Sequence, residues 1–159
     1  MLPSAPPPAL SLPNEFIGHI SQYTTGTREP EQIVAHVRAV FGVIRQRASF
    51  EQSIRFLEIL PIPLKVVFLS DWHIVPHAPS PLRSVDEWAD EMLRLAYQPA
   101  LKDREEAQGI LQPVFRVLDE HVGGDTLRRG MSFVAPEVLS QLLDHPEHYH
   151  YADTCIWLS

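Results

Sequence analysis

Apolar residues recur along most of the chain at intervals of three and four, which is the spacing of an amphipathic helix. Four such stretches lie between residues 14 and 69, and four more lie between residues 84 and 143. Each stretch begins with a residue type that caps or opens helices. The pattern therefore predicts an all-α protein. The predicted helix starts are Asn14, Pro30, Ser49 with Gln52, Pro61, Ser84 with Glu87, Asp103 with Glu106, Asp125 and Pro136.

The two groups of four helices have similar sequences, and the similarity keeps its order along the chain. Because three matches in the same order are hard to attribute to amphipathic helices alone, we interpret them as an internal duplication. The fold prediction is two degenerate four-helix repeats packed as one pseudo-twofold helical domain. The matched segments begin at Glu15 and Glu87 (offset 72), at Val40 and Val114 (offset 74), and at Leu60 and Ala135 (offset 75).

Composition divides the chain into five parts. Five prolines fall within residues 1–13, and these residues are predicted to form a proline-rich arm. Residues 14–75 are the first helical repeat, 76–83 a proline-rich connector, and 84–144 the second repeat. The remaining residues, 145–159, form a C-terminal tail rich in His and aromatic side chains.

The segment from Phe56 to Phe68, FLEILPIPLKVVF, is followed by Asp71-Trp72-His73. It resembles a bacterial helical family, the domain of unknown function numbered 2267, in which a Leu-Pro-x-x-Leu-(Arg/Lys) turn precedes an aromatic pair and a loop with tryptophan. In that family a second Pro-x-x-Leu unit follows about 70 residues later, as Pro136 to Leu139 does here. The resemblance covers roughly Glu15 to Leu143. It implies a tandem helical fold and carries no catalytic residues.

Charge and cysteine content narrow the possible environments. The chain has 13 Lys and Arg against 20 Asp and Glu, a net charge of −7, and the excess of acid falls after Val75. An acidic surface repels phosphates, so we expect no nucleic-acid partner. The single cysteine, Cys155, favours a reducing compartment. The N-terminus lacks the pattern of a secretory signal, and no apolar stretch approaches the ~20 residues that span a bilayer. We expect a soluble, cytoplasmic protein without a membrane partner.

Familiar enzyme signatures are absent from the sequence. It contains no Gly-x-x-x-x-Gly-Lys, Gly-x-Gly-x-x-Gly, Gly-x-Ser-x-Gly or His-Glu-x-x-His motif. We therefore predict no catalytic residues and no cofactor. Whether the protein is an enzyme stays open, and the sequence leans against it.

The C-terminal tail is the best candidate metal site in the sequence. His145, His148, His150 and Cys155 offer the imidazole and thiolate ligands that zinc, nickel and copper prefer. Their spacing matches no closed structural zinc site. A solvated His-rich tail is the alternative.

Two further clusters have both a chemical and a structural interpretation. Asp71 with His73, near His77, could form an acid–base pair, whereas Trp72 more simply packs over the junction of the repeats. The carboxylates after Ser84 could bind two metals or form a solvated helix face. Their oppositely charged counterparts in the first repeat could instead select how the two halves, or two chains, dock. The carboxylates are Asp86, Glu87, Asp90 and Glu91, and the basic residues are Arg38, Arg45 and Arg47.

The leading hypothesis is a non-enzymatic helical interaction or regulatory module that binds a protein partner or a second copy of itself. A metal-binding protein or enzyme that uses the His-rich tail is the alternative. A third hypothesis is a small-ligand binder with a polar pocket between the repeats.

Overall fold

The computed structural model describes residues 13–24, 29–70, 72, 79–95 and 101–143. As predicted, this part of the chain is all-α, with one isolated parallel β-bridge between Leu82 and Val134. None of its helices is long and apolar enough to cross a membrane. The helices are α1 Asn14–Tyr23, α2 Pro30–Arg47, α3 Phe50–Ile59, α4 Ile62–Ser70, α5 Val85–Arg94, α6 Arg104–Val122, α7 Gly124–Gly130 and α8 Pro136–Leu143.

The predicted capping residues explain where several helices begin. The backbone N–H of Gln52 donates to Ser49 Oγ at 3.1 Å, and the N–H of Ser49 donates to Gln52 Oε1 at 2.8 Å. These reciprocal bonds satisfy donors that the first turn of a helix leaves unpaired. Ser84 and Asp103 accept bonds from the third helical residue in the same way.

Three predicted helix starts are wrong by one residue, and one of them is Pro61, since α4 begins at Ile62. Asn14 was expected to cap α1, but it is the first helical residue and Pro13 stands at the cap position. Asp125 was expected to begin α7, which starts instead at Gly124. The preceding Gly123 adopts φ 94°, a conformation that glycine tolerates without strain, and this ends α6.

Each of the eight helices in the described part of the chain contributes buried side chains to one hydrophobic core. In the first half, the rings of Phe41, Phe56 and Phe68 pack together with centroids 5.5 to 5.7 Å apart. In the second half, Trp88 meets Phe115 edge to face at 5.1 Å. The Nε1 of Trp88 is buried without a hydrogen-bond partner among the described residues.

Helices contact one another in the same order in both halves. The main contacts of the first half join α2 to α1, α3 and α4, and α3 to α4. Those of the second half join α6 to α5, α7 and α8, and α7 to α8. Between the halves, α1 contacts α6, α2 contacts α5 and α6, and α3 contacts α7. A pseudo-twofold rotation that exchanges the two halves would map this set of contacts onto itself. The superposition of the two repeats itself stays a prediction.

The end of the predicted connector is tied to both halves. The carbonyl of Leu82 accepts from the N–H of Ala135 at 3.1 Å, and its N–H donates to Phe133 at 3.4 Å. The N–H of Ser80 donates to the carbonyl of Arg47 at 2.8 Å. Leu82 is fully buried, so this residue anchors the otherwise exposed segment 79–84 to the core.

Candidate functional site

Helix α4 carries an apolar face that the rest of the described chain leaves exposed. Ile62, Val66 and Leu69 follow one another at intervals of four and three, so they lie on one side of the helix. Their exposed fractions are 75%, 52% and 47%. A helix that is apolar on all sides is normally buried on all sides. We call these three residues the α4 face. The opposite side of α4 is formed by Leu64, Val67 and Phe68, which belong to the core.

Trp72 connects α4 to an exposed aromatic residue of α3. Its ring stacks on Phe50, the first residue of α3, with centroids 5.6 Å apart and planes at 23°. Its edge contact to the buried Phe68 has a centroid distance of 5.7 Å. The ring contacts of Trp72 therefore lie on α3 and α4, whereas we had expected them over the junction of the repeats. Phe50 remains 51% exposed despite the stack.

The corresponding positions of α8 are polar. At the offset of 75 residues, Ile62 aligns with Glu137 and Val66 aligns with Gln141. Both polar residues are exposed. The two helices thus bury similar apolar sides but differ on the side that faces solvent. An apolar surface is therefore a property of α4 and does not follow from the helical pattern that the halves share.

The predicted carboxylate cluster is divided between two arginines. Arg47 donates to Glu87, and its guanidinium also lies 3.4 Å from Glu91. Arg104 instead binds the exposed Asp90, with both nitrogen–oxygen distances at 2.8 Å. Arg47 thus links the two halves as the docking interpretation expects, whereas Asp90 pairs with Arg104 of its own half. Because the carboxylates face two separate guanidinium groups, the arrangement does not favour a di-metal site.

Burial and hydrogen bonds both shift the pKa of the Glu87 carboxyl. Its burial raises the pKa, since burial penalises the carboxylate. Hydrogen bonds from the Arg47 side chain and the Arg83 backbone N–H favour the carboxylate more strongly, and the net effect is a lowered pKa. Glu87 is therefore held in its charged form against Arg47.

One member of the predicted basic patch is not on the surface. Arg45 is only 7% exposed, and its guanidinium donates to the carbonyl oxygen of Phe68 at 2.8 Å. It also lies 5.5 Å from the centroid of the Phe68 ring. Arg45 therefore anchors the end of α4 to α2. The prediction that it joins Arg38 and Arg47 in a docking patch was wrong.

The predicted metal and acid–base residues lie outside the described residues, so those predictions stay untested. They are His145, His148, His150 and Cys155 of the tail, and Asp71, His73 and His77 near the connector.

Sequence reasoning missed a cluster that the fold brings together from the first helix and the end of α6. Glu15 and His19 of α1 meet His121 of α6, and one ligand atom from each lies within 4.8 Å of the others. The two histidines are 102 residues apart. The alignment of the two repeats offered one signal for this cluster. In that alignment His19 corresponds to Glu91, and His121 corresponds to Arg47.

Comparison with models of protein families identifies a family for this chain. The model of a family described as "Uncharacterized conserved protein (DUF2267)" matches residues 13–142, well over half of the chain. This agrees with the family and the extent predicted from the Leu60-Pro61 segment. A search of the curated proteins finds none that matches.

Proposed function

Since the chain belongs to the DUF2267 family of uncharacterized conserved proteins, whose description assigns no activity, we propose a function from its surface. The protein is a non-enzymatic interaction module, and the α4 face is its docking surface. The partner is an amphipathic helix of another protein, which places its apolar side against Ile62, Val66 and Leu69.

The exposure of these three side chains is the observation that supports the proposal. Complete burial of a Val, Leu or Ile side chain contributes about 1.5–3 kcal/mol relative to full exposure. Ile62 alone leaves 75% of its surface accessible, so most of its contribution is unused in the free protein. Clustered apolar exposure of this kind commonly marks an interaction surface.

The size and shape of the α4 face favour a helix over a second copy of the chain. A helix of nine residues is roughly 13 Å long. A stable protein interface buries about 800 Å² on each partner, which is more than three side chains supply. In contrast, residues spaced at four and three form a ridge that fits between the ridges of another helix.

The α4 face is also supported rigidly from below. Leu64 and Phe68 are 3% and 0% exposed on the opposite side of the helix. Arg45 binds the carbonyl of Phe68, and Trp72 packs against its ring. Because the surface is already ordered, a partner loses little conformational entropy from this side when it binds.

Site-specific photocrosslinking in the source cells tests this proposal. A photoreactive residue at Val66 should capture a defined protein, whereas the same residue at the aligned Gln141 should not. Adding Ile62→Glu, which introduces the residue found in α8, should abolish the capture. The captured protein must then bind the purified chain directly. Equal capture from both positions would contradict the proposal. Capture of only a second copy of this chain would replace the helical partner with self-association.

The remaining expectations rest on the sequence alone. The acidic net charge of −7 supports a protein partner over nucleic acid. The alternative function through the His-rich tail, the small-ligand site between the repeats and the cytoplasmic location all remain predictions.

A further inference from the structure

A second group of residues, independent of the α4 face, has the composition of a metal site. Glu15 and His19 are separated by four residues on α1 and therefore lie on the same side of that helix. His121 stands in the last turn of α6, the helix against which α1 packs. One ligand atom from each of the three side chains lies within 4.8 Å of the others.

The separation of the two imidazoles fits a tetrahedral ion. Nδ1 of His19 lies 3.4 Å from Nε2 of His121. Two nitrogen ligands each about 2.0–2.1 Å from a tetrahedral zinc ion lie roughly 3.3 Å apart, so the two imidazoles are already at the required separation. The Glu15 side chain is exposed, and a change of rotamer can bring its carboxylate to the third position.

The cluster is held in place by neighbouring contacts between the same helices. Phe16, only 5% exposed, packs against the His121 ring with centroids 4.5 Å apart, which limits the orientations of that imidazole. One turn further along α1, the hydroxyl of Tyr23 donates to Glu120, and the Arg116 guanidinium lies 4.0 Å from the centroid of the tyrosine ring. Donating this bond to the Glu120 carboxylate raises the pKa of Tyr23, so the phenol keeps its proton. Of these contacts, that of Phe16 touches a member of the cluster directly, and the Tyr23–Glu120 bond joins α1 to α6 beside it.

The corresponding positions in the other half of the chain include a positively charged side chain. At the offsets that align the repeats, His121 aligns with Arg47, Glu15 with Glu87, and His19 with Glu91. Arg47 joins α2 to α5 by contacting both of those glutamates. Where one half places a guanidinium between two carboxylates, the other places an imidazole beside a carboxylate and a second imidazole. A divalent ion would supply there the positive charge that Arg47 supplies in its own half.

We propose that Glu15, His19 and His121 form a binding site for a divalent transition metal of the zinc type that clamps α1 onto the end of α6. The ligand set of two nitrogens and one oxygen suits zinc, and solvent can supply the fourth ligand at this exposed position. Binding joins the first helix of one half to the longest helix of the other. The main helix contacts of α1 are with α2 and α6. The metal therefore stabilises the packing of α1.

Zinc titration of the untagged full-length chain tests the proposal. All titrations use a background in which His145, His148 and His150 are alanine, so that the predicted tail site cannot contribute. We expect one zinc ion per chain to bind in this background and to raise the melting temperature. His19→Ala and His121→Ala should each weaken binding by more than the 10- to 100-fold that changes in supporting residues commonly cost. Glu91→Gln, at the position aligned with His19, is the matched control and should leave zinc affinity unchanged.

Two results would overturn the proposal. One is the absence of zinc binding in the variant that lacks the three tail histidines. The other is an unchanged affinity for zinc after His19→Ala or His121→Ala. Either would mean that the imidazoles only hydrogen-bond to each other. If His121→Ala does not fold, Glu15→Gln tests the proposal in its place. Glu15 is exposed, so this variant should fold. It should lose affinity for zinc and the zinc-dependent rise in melting temperature.

Discussion

Arg47 and His121 occupy aligned positions 74 residues apart, near the ends of α2 and α6, and each contacts the helix that opens the other half of the chain. Arg47 reaches Glu87 of α5, and His121 packs against Phe16 of α1. One framework position thus joins the halves in two chemically different ways. The first contact is a charge-assisted hydrogen bond between a guanidinium and a carboxylate, and the second packs an imidazole against an aromatic ring.

Replacement of Arg47 by methionine should lower the free energy of unfolding by about 1.5–3 kcal/mol, the range for hydrogen bonds to charged groups. The side chain of Arg47 is only 13% exposed, and it also donates to the Ser80 carbonyl at 2.8 Å. Urea unfolding measures the change. Arg104→Met is the control, since this exposed residue binds only surface carboxylates, and its loss should cost about 0–1 kcal/mol. Equal losses would show that the Arg47 contacts do not join the halves.

The contribution of Glu87 should depend on pH in a defined direction. Its pKa in the folded protein lies below the ordinary value of 4.5, so its carboxylate stabilises the fold above that pH. As the pH falls through the folded pKa, the carboxylate is protonated and this stabilisation disappears. Glu87→Gln should therefore destabilise the protein at pH 7 and have little effect once the pH is well below 4.5. Chemical unfolding of both proteins across this range measures the difference, and a difference independent of pH would contradict the assignment.

Two glycines should respond in opposite directions to alanine. Gly18 is exposed within α1, and a Cβ there would meet nothing within 4 Å, so Gly18→Ala should stabilise the protein by about 0.5–1 kcal/mol. Gly123 adopts φ 94°, which L side chains rarely occupy, and Gly123→Ala should cost about 1–3 kcal/mol. Melting temperatures of the two variants should move apart. A stabilised Gly123 variant would show that α6 ends differently.

The α4 face should be nearly irrelevant to the stability of the free protein. Ile62→Glu and Val66→Gln replace exposed side chains with the residues found in α8, and each should change stability by less than about 0.5 kcal/mol. Leu64→Ala, on the buried side of the same helix, should cost about 2–5 kcal/mol. Thermal or urea unfolding compares them. If Ile62→Glu were as damaging as Leu64→Ala, the face would already be covered in the free protein.

The sequence predicted local features better than contacts between distant residues. Caps such as Ser49 and Asp103 act within three residues, and apolar spacing identified buried positions such as Phe41 and Phe115. Arg45 was misplaced because its burial depends on the carbonyl of Phe68, 23 residues away.

The candidate sites depended even more on three-dimensional packing. His19 and His121 meet only because α1 packs on α6. The exposed side of α4 was also missed, since composition shows that a helix is apolar all round but not which neighbours cover it.

The most direct test of the interaction module is the affinity of its photocrosslinked partner for the purified chain, measured by calorimetry with the wild type and two folded variants. Ile62→Glu should weaken binding at least about tenfold, since it places a charge within the apolar contact. Glu137→Gln, a change at the aligned position of α8, should leave the affinity as it is. An unchanged affinity in Ile62→Glu would contradict the account, and so would a loss confined to the Glu137 variant.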